Sequence, residues 1–99
     1  AMSTAIIFRA EAEADVRGVY LEYENIRPGL GDKFLVCLRE TLERIETFPE
    51  LYGFVWQDIR AVRLKPFRHV LYYFNTLDHS EILAVMHGAR ETSSWQTRI

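Results

Sequence analysis

The amino-acid sequence predicts an α+β fold, and three observations carry that prediction. A short β-branched run opens the chain. Two long stretches then space their apolar residues as helices do, with only a short break containing proline and glycine between them. The remainder holds apolar runs separated by turn residues. Helices and strands therefore segregate along the chain instead of alternating. Such an order builds an antiparallel meander with the helical pair packed on one face.

Each element has its own reason. Residues 5–9, Ala-Ile-Ile-Phe-Arg, are apolar and β-branched and predict a first strand. Residues 10–26 predict a helix. Ala12, Val16, Val19, Tyr20, Tyr23 and Ile26 recur on one face, and Glu11, Asp15, Arg17, Glu22 and Glu24 fall on the other. Gly18 lies inside this helix, where it costs up to about 1 kcal/mol relative to alanine or marks a close helix contact. Arg27-Pro28-Gly29-Leu30-Gly31 is a break, after which Asp32 or Pro28 opens the next helix. Residues 33–48 form its stripe, with Phe34, Leu35, Leu38, Leu42, Ile45 and Phe48 inward and Glu40 and Arg44 paired outward. Pro49 ends it, and the short connection favours an antiparallel helical hairpin. Residues 55–64 predict a strand with mixed faces. Residues 69–75 are apolar on both faces and predict a central strand. After a turn at Asp78-His79-Ser80, residues 81–87 predict another. The expected fold is thus an N-terminal strand, an antiparallel helical hairpin, an antiparallel three-strand meander and a short C-terminal tail around Trp95.

Composition sets the bounds. The 99 residues, 48% of them apolar, suffice for one core and hence one domain over residues 1–99. Ala1 ahead of Met2 is expected to be a cloning remnant. No stretch approaches the roughly 18 apolar residues of a membrane span, and no signal peptide is evident. Cys37 is the only cysteine, so no internal disulfide forms, which suits a reducing cytoplasm. The net charge of -2 hides an asymmetry. Up to Asp58 there are eleven acids to six bases, and beyond it six bases to three acids. A pI near 5.9 argues against dominant binding to a nucleic-acid backbone, so direct nucleic-acid binding is not expected.

Few residues carry recognisable chemistry. No His, Cys or carboxylate spacing matches a metal site, and neither a phosphate-cradling glycine loop nor a nucleophile elbow is present. No metal or cofactor is expected. His69 and His87 sit at strand ends, where a hydrogen-bonded structural histidine is the commoner outcome. Cys37 lies in the apolar part of the second helix and is expected to be inert.

The order of elements, and above all the run Ile82-Leu83-Ala84-Val85-Met86-His87-Gly88-Ala89-Arg90 followed by Trp95 and Arg98, resembles the RelE/ParE superfamily of toxins from type II toxin–antitoxin systems. The ending is most similar to ParE-type, or plasmid stabilisation, proteins. Phe48-Pro49, Ile59-Arg60 and residues 67–73 support the resemblance, which covers nearly the whole chain.

The resemblance implies a ParE-like toxin that arrests growth by binding a target, DNA gyrase, and acts as an inhibitor and not as an enzyme. It implies neutralisation by a ParD-like antitoxin, in a toxin–antitoxin hetero-oligomer within the cytoplasm and without a membrane partner. The residues expected at the target are His87, Arg90, Trp95 and Arg98. The alternative is a RelE-like, ribosome-dependent mRNA endoribonuclease. Its candidates are Arg63, Lys65 and Arg68 as cations for the phosphate, and His69 and His87 for proton transfer. Against it stand the acidic pI and Trp95, which falls where that branch places a tail tyrosine. An indole is neither an acid nor a base.

Overall fold

In a computed structural model of the chain, which describes residues 4–88 and 93–98, the elements run β1 (Ala5–Phe8), α1 (Ala10–Ile26), α2 (Leu30–Thr47), β2 (Phe54–Trp56), β3 (Ile59–Arg63), β4 (His69–Asn75), β5 (His79–His87) and α3 (Ser93–Gln96). One five-stranded sheet has the order β1-β5-β4-β3-β2. Neighbouring strands from β2 to β5 pair antiparallel, while β1 lies parallel to β5. That parallel pair needs a long crossover, which the helical hairpin and the meander supply.

The helical hairpin covers one face. Ala12, Val19, Phe34, Leu38 and Ile45 pack there against Val62, Leu64, Leu71, Tyr73, Ile82 and Val85. Tyr72, Leu83, Ala84 and Ile59 bury the opposite face beneath Trp95. β4 is therefore covered on both sides, as its two apolar faces require. Ile26 and Phe48 belong to the expected stripes but lie at helix ends, where the sheet no longer reaches them, and both are exposed.

Two strand boundaries differ from the sequence expectation. Residues 55–64 are not one strand but the hairpin of β2 and β3, so the meander has four strands. Its turn is Gln57-Asp58, with Gln57 in the left-handed region at φ 49°. Glycine or asparagine normally announces such a turn, and neither is present. The turn expected at Asp78-His79-Ser80 is shorter, because His79 and Ser80 already belong to β5. The Thr76 hydroxyl accepts the amides of Asp78 and His79, and the Thr76 amide donates to the His79 carbonyl at 2.8 Å, which closes the reversal early.

The hairpin connection also departs from expectation. Asp32 lies in the first turn of α2 and is not its cap, and Pro28 precedes the helix, whose cap position is Gly29. The Glu24 carboxylate reaches over from α1 and accepts the amides of Gly29 and Gly31 at 2.9 and 2.8 Å. These donors would otherwise be unpaired at the helix start. Gly29 takes φ 90°, a conformation that favours glycine. Gly31 packs directly on α1: a Cβ there would lie 2.7 Å from both the Tyr20 carbonyl oxygen and Glu24 Cγ. After α2, Tyr73 and Asn75 both donate to the Pro49 carbonyl, at 2.8 and 2.9 Å, and pin the loop to the sheet. Burial pushes the Tyr73 phenol up to about 12, so it stays a donor.

Gly18 is the opposite case. Nothing lies within 4 Å of a Cβ built on it, so no close helix contact explains it. Gly31→Ala is expected to lower stability by about 1–3 kcal/mol through overpacking, whereas Gly18→Ala raises it by up to about 1 kcal/mol through helix propensity. Denaturant unfolding of both variants checks the opposite signs.

Candidate functional site

The β1–β5 pairing ends at Phe8 and Ile82, and Arg9 donates one last amide to the Ile82 carbonyl at 3.1 Å. Beyond that point the outer edge of β5 faces α1, and its backbone groups need other partners. The Asp15 carboxylate accepts the Val85 amide at 3.0 Å. Arg98, arriving from the tail, donates to both Asp15 oxygens at 2.7 and 3.2 Å and to the Leu83 carbonyl at 3.3 Å. Arg9 grips the tail from the other side, with its guanidinium donating to the Arg98 carbonyl and to Glu81. Glu81 also meets His79 Nε2 at 3.1 Å, and His79 Nδ1 lies 3.0 Å from Asp78.

The charges in this latch shift one another. Hydrogen bonds from Arg9 and then His79 hold the Glu81 carboxyl below its ordinary range. Glu81 first, then Asp78, raise the His79 imidazole above 6.5. His79 and then Thr76 hold Asp78 down. Asp15 keeps the Arg98 guanidinium firmly charged.

The tail seals the second sheet face. Trp95 is 2% exposed. Its ring stacks on Tyr72 at 4.5 Å between centroids and meets Trp56 edge-on at 5.9 Å. Its Nε1–H has no hydrogen-bond partner among the described residues, a cost that the large apolar area it covers outweighs.

The far end of the sheet gathers the histidines. His69 and His87 are cross-strand partners with ring centroids 5.5 Å apart. His69 is buried among Tyr23, Phe34 and His87, and its Nδ1 lies 3.1 Å from the Tyr23 hydroxyl. Burial raises the Tyr23 phenol. Arg63 and Arg68 are exposed and share a hollow with His87 and Gly88. Lys65 is exposed on the loop between β3 and β4, and its carbonyl accepts the Cys37 thiol at 3.2 Å. Burial pushes that thiol up, away from reactivity.

The residues expected at the target thus occupy three settings. His87 stands at the sheet end, Trp95 lies beneath the tail, and Arg98 is paired with Asp15. Arg90 lies outside the described residues. His87 and Arg98 do line one groove between α1 and β5, together with Asp15, Gly18 and Glu22. Of the nuclease candidates, Arg63, Arg68 and His87 come together, and His69, though buried, lines the hollow that Arg68 and His87 share with Tyr23. Among the described residues, no group of three or more His, Cys, Asp or Glu side chains could hold a metal ion, and no helix is long and apolar enough to cross a membrane.

Asp15 was misplaced by its charge. It sits three residues after Ala12 and four before Val19, at the margin of the buried stripe, where an acid needs a partner. The i, i+3, i+7 spacing was the available signal.

A family model for the ParE toxin of the type II toxin–antitoxin system parDE matches residues 6–92. The chain belongs to the ParE toxin family. It is therefore a ParE-type toxin of a type II toxin–antitoxin system. Its fold is similar to that of a chain in a structure titled "Chromosomal ParDE TA system from P. aeruginosa", with a TM-score of 0.75 at 13% identity, over 86% of this chain and 96% of that one. It is also similar to the YoeB dimer from Staphylococcus aureus, with a TM-score of 0.62 at 18% identity, over 86% and 97% of the two chains. No curated protein matches the toxin significantly.

Trp95 and Arg98 contribute to the stability of this toxin. Trp95→Ala is expected to cost about 3–5 kcal/mol by opening the second face. Arg98→Ala leaves the Asp15 carboxylate half-paired beside the β5 edge and costs roughly 2 kcal/mol. Denaturant unfolding measures both.

His79 makes the latch sensitive to pH. Its raised pKa contributes stability that is complete below 6.5 and is lost as pH rises through the folded value. The depressed Glu81 contributes above 4.5 and loses its share as pH falls through its own folded value. The stability gap between wild type and His79→Gln should therefore peak between pH 4.5 and 6.5 and close on either side. Thermal unfolding across pH reads it; a gap that widens above pH 8 contradicts the assignment.

Proposed function

We propose that this toxin arrests growth by binding DNA gyrase, and that a ParD-like antitoxin neutralises it in a hetero-oligomeric complex. The observation that carries the binding reading is the burial of Trp95 against Tyr72. The Trp95 indole is neither acid nor base, and the Arg98 guanidinium is engaged with Asp15. Inhibition by contact needs no such groups. The family match supports the toxin role, and the ParDE system named for the similar structure supports an antitoxin partner. The setting of this activity is the cytoplasm, and a role in plasmid stabilisation follows if the pair is plasmid-borne.

Expression without antitoxin is expected to cause DNA damage and filamentation, and the purified toxin to inhibit supercoiling by gyrase. Co-expression of a ribbon-helix-helix antitoxin from the neighbouring reading frame should restore growth and co-purify. Growth arrest with intact chromosomes and cleaved transcripts would remove the gyrase reading. One observation favours that second outcome: Arg63, Arg68 and His87 line a common hollow. Toeprinting on translating ribosomes separates the two.

A further inference from the structure

The end of the sheet opposite Arg63 and Arg68 carries apolar side chains that no core uses. The loop at Pro49 is held there, against the end of β4, by Tyr73 and Asn75. Phe48 and Leu51 flank Pro49, and Phe54 and Val55 follow in the edge strand β2; each is more than half exposed. Their support is fixed. Arg60 donates to the Glu50 and Tyr52 carbonyls and lies over the Phe54 ring, and Arg44 donates to the Tyr52 hydroxyl at 2.9 Å. Exposed apolar groups gathered on one short, braced segment mark an interaction site, and a braced surface binds at little ordering cost.

The charge around them is one-sided. From Glu40 to Arg60 the chain carries five acids and two bases. Both bases are spent on hydroxyl and carbonyl oxygens, Arg44 on Tyr52 and Thr41 and Arg60 on Glu50 and Tyr52. Glu40, Glu43, Glu50 and Asp58 are exposed, and no ion pair engages them among the described residues. Glu40 and Glu43 share a hollow with Arg44, Thr47 and Phe48. Two carboxylates there outnumber one guanidinium whose Nε and Nη2 already donate elsewhere.

We infer that this face docks a basic segment of the toxin's target protein, with a lysine or arginine side chain in the Glu40–Glu43 hollow and apolar side chains against Phe48, Leu51 and Phe54. The inference rests on the gyrase reading and names the surface that makes the contact. An enzyme that grips DNA presents cations to the phosphates. An apolar face fringed by unpaired carboxylates meets such a surface with complementary charge. The net charge of -2 adds to the attraction at a distance, and the same acids repel a nucleic acid.

The test measures binding to purified DNA gyrase for wild type and three double variants, each also checked for thermal unfolding and for affinity to the antitoxin that co-purifies. Phe48→Ser with Leu51→Ser removes the apolar contact, and Glu40→Gln with Glu43→Gln removes the charge. Leu21→Ser with Ile26→Ser makes the same apolar change on exposed positions of α1. The Phe48/Leu51 pair should raise the dissociation constant for gyrase about tenfold or more. The Glu40/Glu43 pair should slow association several-fold at low salt, about threefold or more, with the gap closing as salt rises. The α1 pair should change either quantity less than about twofold. Antitoxin affinity and unfolding should stay as in wild type. Equal gyrase affinity in all four proteins, or equal weakening by the Phe48/Leu51 and α1 pairs, overturns the face while leaving the gyrase reading intact. Wild type that neither binds gyrase nor inhibits supercoiling overturns both. Association of the Glu40/Glu43 variant that matches wild type at every salt concentration overturns the basic partner. Loss of antitoxin affinity in the Phe48/Leu51 variant with gyrase binding retained, or a wild-type dimer that this variant dissolves with gyrase binding retained, overturns the assignment in favour of the antitoxin or a second copy of the chain.

Discussion

The arrangement depends on one constraint: β1 is too short to cover β5. Their pairing stops at Ile82, while β5 continues to His87. An uncovered strand edge in contact with a helix cannot leave its amides and carbonyls unpaired without a cost of about 1–3 kcal/mol for each buried group. Asp15 answers from α1 by accepting the Val85 amide, and its charge in turn calls for a cation. Arg98 supplies it, which draws the tail across the sheet and sets Trp95 over Tyr72. Helix position, tail path and closure of the second face thus follow from the strand that ends early.

Much of the fold was legible because its apolar periods are clean. The stripes at Ala12, Val19 and Phe34, Leu38, Ile45, and the two-sided apolarity of β4, each correspond to a buried set. What escaped was polar or long-range. Gln57-Asp58 makes a reversal without glycine, so no local signal divided β2 from β3. Glu24 caps a helix that starts after it in the chain, a geometry visible only once the hairpin is folded. Asp15 and Arg98 lie 83 residues apart, and nothing local marks them as partners. Of the candidate site, the sheet-end residues Arg63, Arg68 and His87 were legible as a basic group, whereas the roles of Trp95 and Arg98 required the folded tail.

The charge asymmetry of the sequence acquires meaning from this division. Counted along the chain, the second half is simply basic. Counted by partner, Arg60 and Arg98 hold the structure together, and among the described residues of that half the exposed cations are Arg63, Lys65 and Arg68 around one end of the sheet. His79 belongs to the opposite end of β5, bound by two carboxylates, and is not among them. A cluster of exposed cations at one end favours a partner that approaches that end, and it raises the association rate more than it deepens the bound state.

The same division decides how variants of the tail are to be read. Because Trp95 closes a core face and Arg98 satisfies the β5 edge through Asp15, any change there acts first on folding. A toxin destabilised by a few kcal/mol is scarce in the cell, and scarcity alone relieves toxicity. Variants at Arg63 and Arg68 carry no such burden, since their side chains have no internal partner among the described residues to lose. Loss of function at those positions is free of that folding contribution, whereas loss at the tail mixes folding with any contact the tail makes. Tail variants are accordingly to be read beside their unfolding, and variants at Arg63 and Arg68 can be read directly.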